Sequence, residues 1–339
     1  ESLLKHHTIS IDGVPYPPWF RETEVKRLKD SWLPSSGDVF VVSHFPQMAM
    51  QRLLVSLVEG QSDPWAPDLI RKPHFCDAAA SKRGAQEFLR QAATWTERRC
   101  FKTHAFPHVF PCRYPFTDFK GSGVPPKIVV LVADPRHAFT IWWQGTLQLL
   151  NGSEKSLPFK DFIKSVVNKE FQAFGDYFEH AAAWAKEAQA RPDTVRVIVA
   201  DRLGSLDPKE VRAALEEIAE FLEIPASRAS QLAAAVFQRP TGAGSALAKD
   251  QCLISEALHG GPLMEQAGRN LCFFEDTFTS LDMSIQSAWR SLPRAWITQE
   301  VLHPALWTLA EAVLRGVAST PPISLTIPMK GEDIHEAGG

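Results

Sequence analysis

The segment Asp38–Gly60 has the outline of a phosphate-binding unit. A β-branched and aromatic run, Val39–Val42, predicts a buried strand, and apolar residues at helical spacing follow from Met50 to Val58. Loops that bind phosphate between such a strand and helix carry Gly, Lys, Ser and Thr, which donate hydrogen bonds to the anion. Residues 45–51 here read Phe-Pro-Gln-Met-Ala-Met-Gln. The frame therefore predicts a nucleotide site, but the loop lacks the residue types that such a site needs.

Other catalytic and metal-binding patterns do not occur in the sequence. There is no GxSxG, HExxH or Walker A pattern, and the histidines lack the spacing of metal ligands, so we expect no metal site. The number of cysteines is odd and no pair has CxxC spacing, so we interpret each one as a small buried hydrophobe. This usage favours the cytoplasm or another reducing intracellular compartment. A leader removed before Glu1 is left open.

Composition limits the classes of partner. The chain has 339 residues, of which 45% are apolar, and a net charge of −3. It has no long basic block, so we expect no nucleic-acid partner, and we interpret Lys82-Arg83 and Arg98-Arg99 as solvated surface. No run of about 18 apolar residues is present, so we expect no membrane span.

Strand and helix patterns alternate along the chain. After the first strand, residues 127–133 and 195–200 form two further strand candidates, each followed by a helical pattern, at 137–150 and 208–222. Residues 159–187 between them predict two helices. This alternation predicts an α/β fold with a central parallel sheet and helices on both faces.

The ends of these elements add detail. Asp207 is a candidate N-cap for the helix 208–222, with Pro208 in its first turn and Glu210 at capping-box spacing. Ligands of parallel sheets bind at the carboxyl ends of the strands. The loops 43–52, 133–137 and 200–207 are therefore the expected site.

We predict three regions along the chain. Residues 1–37 are expected to be an irregular lead-in that crosses the surface of the core, and residues 38–296 form the α/β domain. Residues 297–339 are expected to hold a helix, 297–316, and a polar tail. The Gly- and Ser-rich stretch 235–270 predicts a long loop.

Six segments resemble cytosolic sulfotransferases in their order and spacing. They are DGVPYPPWF, GDVFVVSHFP, CFKTHAFPHVFP, KIVVLVADPRHAFTIWW, FKDFIKSVV…FGDYFEHAAAWAKE and VRVIVADRLGSLDPKEVRAALEEIAEFLEI, spread over residues 10–290. The resemblance implies one sulfotransferase-type domain of P-loop-kinase-like architecture. It also implies transfer of a sulfuryl group from 3′-phosphoadenosine 5′-phosphosulfate (PAPS) to an alcohol, phenol or amine, with a histidine as general base.

The family's loop after the first strand resembles Tyr-Pro-Lys-Ser-Gly-Thr-Thr-Trp and binds the 5′-phosphosulfate. Aligned on Pro46, the loop here has Gln47 for Lys, Met48 for Ser, Ala49 for Gly, and Met50 and Gln51 for the two Thr. A cation and several hydroxyl donors are lost. Charge-assisted hydrogen bonds contribute about 1.5–3 kcal/mol each, so PAPS binding should weaken on the order of a thousandfold or more. Arg52 follows, and we favour a surface position for it.

The family's second cradle, for the 3′-phosphate, resembles Arg-Asn-Pro-Lys-Asp-Val-Ala-Val-Ser-Tyr-Tyr. In this chain the Arg that holds the phosphate becomes Ala133, and the assisting Ser becomes Ile141. Asp134 adds a negative charge nearby, and Arg136 or Thr140 is a candidate replacement donor. The family's late Arg-Lys-Gly contact has no counterpart between residues 240 and 275.

One catalytic feature of the family is retained. The segment FKTHAFP matches Lys-Thr-His-Leu-Pro, which implies Lys102 as the sulfuryl-stabilising cation and His104 as the base. An imidazole of ordinary pKa near 6.5 suits deprotonation of an acceptor hydroxyl. His180 and Trp184, four residues apart on one predicted helix, are interpreted as packing residues.

Three hypotheses follow from these residues. The first is a non-catalytic or weakly active binding or scaffold member of the family, a pseudoenzyme, with the helix 297–316 as its contact for a protein partner or larger assembly. Its uncharged, methionine-rich loop motivates it. The second is an active PAPS-dependent sulfotransferase that uses His104 on a small-molecule acceptor. The third is a less anionic donor or ligand in the same pocket. PAPS or its product PAP is the expected cofactor only of the active form.

Overall fold

The computed structural model describes most of the chain up to residue 237. The described residues are 9–17, 20–44, 48–64, 76–80, 84–95, 98–116, 124–149, 157–170, 173–203 and 207–237, with the single residues 283 and 286. The predicted helix 297–316, the polar tail and nearly all of the predicted loop 235–270 lie outside them.

Strands and helices alternate through the described part of the chain. The strands are β1 (Ile9–Ile11), β2 (Val14–Tyr16), β3 (Val39–Ser43), β4 (Cys100–Thr103), β5 (Lys127–Val132) and β6 (Val195–Val199). The helices are α1 (Glu22–Ser31), α2 (Met48–Glu59), α3 (Ala85–Ala93), α4 (Pro135–Leu149), α5 (Phe159–Val167), α6 (Tyr177–Ala190), α7 (Ala200–Leu203), α8 (Pro208–Phe221) and α9 (Ala226–Phe237). Two 3-10 helices cover Cys76–Ala80 and Pro107–Val109.

A four-stranded parallel sheet in the order β4-β3-β5-β6 forms the centre of the fold. Every residue of β3, β4 and β5 is buried, and only Arg196 of β6 is half-buried. Helices cover a parallel sheet on its faces, so its strands are apolar almost throughout. The predicted α/β class with a central parallel sheet is confirmed.

Most predicted elements are present within one or two residues. The two-helix prediction for residues 159–187 corresponds to α5 and α6. Asp207 caps α8 by accepting a hydrogen bond from the Lys209 backbone N–H at 2.9 Å, and Pro208 occupies the first turn. The strand β4 was not predicted, because its sequence Cys-Phe-Lys-Thr is short and carries a lysine.

The prediction of an irregular, superficial lead-in is wrong for residues 9–31. This stretch contains the antiparallel pair β1–β2 and the helix α1. Trp32, directly after α1, is buried with its ring 5.4 Å from Phe40, 5.0 Å from Phe88 and 4.7 Å from Phe101. The segment therefore covers one side of the sheet and completes the aromatic core.

The interpretation of Arg98-Arg99 as solvated surface is also wrong. The Arg99 side chain is only 10% exposed and pairs with Asp38 at 2.5 Å. Arg98 donates from Nε to the Gly37 carbonyl and from Nη1 to the Leu222 carbonyl, both at 2.7 Å. Because β4 starts in the core, these arginines lie at the amino end of the sheet, where backbone carbonyls need donors. Lys82-Arg83 lie outside the described residues.

The described residues include three of the five cysteines. Cys76, Cys100 and Cys112 are buried thiols outside any disulfide. Among the described residues, no helix is long and apolar enough to cross a bilayer. The same part of the chain holds no group of three or more candidate metal ligands.

Trp32 and its neighbour Leu33 test the contribution of the lead-in to stability. Trp32→Ala should lower the free energy of unfolding by about 3–5 kcal/mol, because it leaves a cavity among three aromatic rings. Leu33, which is 75% exposed, is the matched control, and Leu33→Ala should change stability by less than about 0.5 kcal/mol. Denaturant unfolding measures both variants, and similar losses would contradict the assignment of Trp32 to the core.

Candidate functional site

The carboxyl ends of three adjacent strands bring the candidate residues together. Lys102 and His104 lie at the end of β4, Ser43 and His44 at the end of β3, and Ala133 directly after β5. Because β3 lies between β4 and β5, the predicted catalytic pair and the predicted 3′-phosphate position flank the loop after β3. This is the edge at which parallel sheets bind ligands.

His104 is fixed through both its ring and its backbone. The residue is 4% exposed, and its Nδ1 lies 2.5 Å from the Ser43 carbonyl oxygen. A carbonyl only accepts hydrogen bonds, so Nδ1 carries the proton and Nε2 is left with the lone pair. The His104 backbone N–H donates to Asp77 Oδ2 at 2.6 Å. A proton-accepting nitrogen is thus held in a defined orientation.

The surroundings of His104 keep its ring neutral. Burial, and secondly the positive charge of Lys102, hold the pKa of His104 well below its ordinary value. Lys102 is itself buried, and its backbone carbonyl accepts a hydrogen bond from Cys76 Sγ at 2.7 Å. A base whose pKa lies well below the working pH has a weak driving force for proton transfer. The arrangement therefore suits a weak base better than a strong one.

Two further histidines are buried beside His104. His44 Nε2 donates to the Gly175 carbonyl at 2.9 Å, and the His44 and His180 rings are 5.2 Å apart. His180 Nε2 and Trp184 Nε1 donate to the Ala105 carbonyl at 3.2 and 3.0 Å. Burial lowers the pKa of His44 to about 4 and that of His180 well below its ordinary value. His180 and Trp184 behave as the packing interpretation requires.

The loop that aligns with the family's 5′-phosphosulfate cradle is called the first cradle here. Its described side chains lie mainly in the protein interior. Met50 is a core residue, so it is not an exposed apolar contact, contrary to the motivation that the sequence suggested for a methionine-rich surface. Gln51 is buried, and its Nε2 donates to Ser43 Oγ at 3.0 Å. Arg52 is half-buried on α2, so the expected surface position is only partly correct.

The other predicted loop residues are only partly covered by the structure. Pro46 and Gln47 lie outside the described residues. Met48 and Ala49 form the start of α2, of which the backbone alone is described. The loss of the family's lysine at position 47 therefore stays an observation of the sequence.

The 3′-phosphate positions lie against other protein groups. Ala133 is buried, and its carbonyl accepts a hydrogen bond from the Tyr177 hydroxyl at 2.5 Å. The Tyr177 ring in turn contacts Phe139 and His44, with centroids 5.7 Å away in both cases. Ile141 is half-buried on α4. An aromatic side chain thus occupies the neighbourhood of the position at which the family places its phosphate-holding arginine.

Both candidate replacement donors make hydrogen bonds within the protein. Asp134 accepts hydrogen bonds from Arg136 at its backbone N–H (2.8 Å), Nε (3.0 Å) and Nη2 (2.6 Å). The Asp134 backbone N–H donates to Asp201 at 2.9 Å. Thr140 Oγ1 donates to the Arg136 carbonyl within α4 at 2.8 Å. The charge of Arg136 is balanced by the carboxylate two residues before it.

Sequence reasoning missed Asp77 and gave no individual role to Ser43 and His44. These two residues directly follow the predicted strand Val39–Val42, and the predicted site loop 43–52 includes them. Asp77 lies 26 residues before Thr103, to which it is hydrogen-bonded, and no local pattern connects the two. Its carboxylate became recognisable only from the contact itself.

Comparison with protein families agrees with the order of segments and with the sheet. The family model of the sulfotransferase domain matches residues 34–239, more than half of the chain. The chain belongs to the sulfotransferase family. No curated protein sequence matches it. The matched residues of this sulfotransferase-family protein include all four strands of the parallel sheet.

Solved sulfotransferase structures share the fold at low sequence identity. The mouse sulfotransferase SULT7A1, complexed with PAP, aligns with a TM-score of 0.56 and 14% identity, over 91% of this chain and 98% of its own. A putative steroid sulphotransferase of Arabidopsis thaliana aligns with a TM-score of 0.53 and 14% identity, over 81% of this chain and 88% of its own. Retinol dehydratase, in complex with androsterone and the inactive cofactor PAP, aligns with a TM-score of 0.51 and 16% identity, over 79% of this chain and 88% of its own.

The buried histidines predict loss of stability in mild acid. The unfolded chain protonates His44 near pH 6.5, whereas the folded protein does so only near pH 4. The contribution of neutral His44 is therefore fully present above about pH 6.5 and is lost as the pH falls toward 4. At pH 5 this loss amounts to about 2 kcal/mol.

His44→Gln tests whether protonation of His44 causes this loss of stability, because an amide does not titrate and can still donate to the Gly175 carbonyl. Urea unfolding at pH 7.5 and pH 5 gives the stability lost on acidification for each protein. The loss should be smaller in the variant than in the wild type by about 2 kcal/mol. Equal losses would show that His44 is not buried in its neutral form.

Proposed function

We propose that this protein is a non-catalytic or weakly active member of the sulfotransferase family that serves as a binding or scaffold protein. The observation that carries the proposal is the pairing of Arg136 with Asp134, in which both side chains are largely buried. Arg136 is the candidate cation closest in sequence to Ala133, where the family holds the 3′-phosphate. Its charge is already balanced within the protein.

The cost of breaking this pair argues against its use for a phosphate. If Arg136 turned to a bound nucleotide, Asp134 would keep a buried negative charge next to a second anion. Removing one partner of a buried ion pair costs about 3–5 kcal/mol, which is comparable to the gain from one or two phosphate contacts. Asp134 also caps α4 through its bond to the Arg136 backbone N–H, and that cap supports the present arrangement.

The first cradle supports the same proposal. Gln47, Met48 and Ala49 stand where the family has Lys, Ser and Gly. The Gln51 amide donates to Ser43 rather than projecting a hydroxyl toward a ligand. PAP is present in the mouse neighbour and in retinol dehydratase, so it is the natural ligand with which to test the old pocket. A protein partner at residues 297–316 and a reducing intracellular compartment belong to this proposal as well.

Calorimetric titration with PAP is the direct test. The full chain should bind PAP at least about a thousandfold more weakly than a PAP-binding sulfotransferase titrated in the same buffer, because the cradle contacts are lost. The double variant Asp134→Asn/Arg136→Gln removes both charges and should leave any residual affinity unchanged, since Arg136 is held by Asp134. Binding near 1 μM would overturn the proposal, and a loss of tenfold or more in the double variant would identify Arg136 as a phosphate contact.

The second candidate function is PAPS-dependent sulfuryl transfer to a small-molecule hydroxyl or amine. A specific observation favours it: the Nδ1 contact to Ser43 leaves Nε2 of His104 as the proton acceptor. Lys102 lies two residues away and would stabilise the transferred sulfuryl group, as in the family. PAPS would supply the sulfuryl group: the bond from sulfur to the acceptor oxygen would form as the bond from sulfur to the 5′-phosphate oxygen broke and PAP left, while His104 would accept the proton of the acceptor hydroxyl.

Labelled PAPS with a panel of alcohols, phenols and amines tests this second candidate. If transfer occurs, His104→Ala should reduce its rate by about 10²–10⁴-fold, the usual contribution of a general base. His108→Ala is the matched control, because His108 is exposed in the same segment and should retain the wild-type rate. Equal rates in both variants would exclude His104 as the base, and absence of transfer across the panel favours the first proposal.

A further inference from the structure

The segment Lys102–Ala105 is held from two sides by side chains outside its strand. On one side the 3-10 helix Cys76–Ala80 contributes Cys76 Sγ, which donates to the Lys102 carbonyl, and Asp77, which accepts from two groups. On the other side α6 contributes the two donors to the Ala105 carbonyl, from His180 and Trp184. The segment thus has little freedom to rotate about its backbone.

The side chain of Asp77 accepts both hydrogen bonds that the 3-10 helix Cys76–Ala80 receives from the end of β4. Its Oδ1 accepts from Thr103 Oγ1 and its Oδ2 from the His104 backbone N–H, both at 2.6 Å. Thr103 Oγ1 accepts in turn from the Ala105 backbone N–H at 3.1 Å. Because one carboxylate serves two consecutive residues, it fixes the direction in which the chain leaves β4.

We propose that Asp77 is a positioning residue for His104, which it holds so that the imidazole keeps its Nδ1–H on the Ser43 carbonyl and its Nε2 as the acceptor. Asp77 acts through the backbone and through Thr103. It is not a catalytic residue, because its contacts are to the strand end and not to the imidazole. The proposal goes beyond the function proposed above, and it holds whether or not PAPS binds.

Only a carboxylate at position 77 accepts both hydrogen bonds in their present direction. An ionised Asp accepts at two oxygens, whereas Asn accepts at one and presents an NH₂ group at the other. In Asp77→Asn the NH₂ group faces either the His104 N–H, donor against donor, or Thr103 Oγ1, whose hydroxyl must then turn to accept and can no longer donate to residue 77. Burial raises the pKa of Asp77 to about 6, so its carboxylate is ionised at neutral pH, as the two contacts require.

Histidine-selective NMR on the full chain labelled with ¹⁵N-histidine tests the proposal. Two-bond ¹H–¹⁵N correlations distinguish the two neutral tautomers and the imidazolium, and the His104 signal is assigned by its loss in His104→Gln. The wild type should show a single Nδ1–H tautomer near neutral pH. Asp77→Asn should show a mixture of tautomers and a titration moved toward the ordinary pKa near 6.5.

The direction in which the pKa of His104 moves distinguishes a positioning role of Asp77 from a direct effect of its charge. Removal of a nearby negative charge alone would lower the pKa of an imidazole, whereas release of the ring from its buried setting would raise it. Asp38→Asn is the matched control, because Asp38 is a buried carboxylate at the opposite end of the sheet, paired with Arg99. It should destabilise the fold and leave the His104 signal unchanged.

A second pair of variants covers the case in which Asp77→Asn does not fold. Thr103→Val removes the hydroxyl that links Asp77 to the Ala105 N–H, and it should broaden or shift the His104 signal in the direction expected for Asp77→Asn. Thr103→Ser keeps the hydroxyl and should restore the wild-type signal. A wild-type tautomer and titration in folded Asp77→Asn, or in Thr103→Val, would overturn the proposal.

Discussion

The carboxyl edge of the parallel sheet is buried, so each imidazole, carbonyl and carboxylate there needs a partner supplied by the protein. Three imidazoles donate to the backbone carbonyls of Ser43, Gly175 and Ala105. These bonds join the ends of β3 and β4 to α6 and to the turn before it. The geometry of the candidate site is thus a consequence of satisfying its own polar groups.

The same constraint explains how this edge departs from the family pattern. A phosphate-binding edge keeps some donors in reserve for the anion, and the fold tolerates them because ligand or water completes their bonds. Here the Gln51 amide donates to Ser43, Arg136 is paired with Asp134, and the Tyr177 hydroxyl is bound to the Ala133 carbonyl. The frame is that of the family, while these polar groups are bonded to the protein itself.

Sequence patterns predicted the parts of the fold that depend on local repetition. The apolar strands β3, β5 and β6, and the helix α8 with its Asp207 cap, follow from runs and end signals that need no distant contact. The strand β4 and the buried position of Trp32 were missed, because both depend on neighbours that are far away in sequence. Arg98-Arg99 was misjudged for the same reason, since charge suggests exposure until the partner Asp38 is known.

The candidate site shows the same division between local and distant information. Lys102 and His104 were predicted from a contiguous segment that resembles the family, and the altered cradles were predicted from alignment on Pro46 and Pro135. Asp77 and the pairing of Arg136 with Asp134 required coordinates, because sequence gives residue types but not which donors are already engaged. A list of cations near a loop therefore overstates the charge that a ligand would meet.

The Asp134–Arg136 pair has an evolutionary consequence. An arginine introduced at position 133 would place a new guanidinium next to a carboxylate that already binds one, and the simplest outcome would be another internal pair. Under the non-catalytic function proposed above, building a phosphate site here would take changes at several positions together, each of little benefit alone. Selection acting on one substitution at a time would then have no easy route to nucleotide binding.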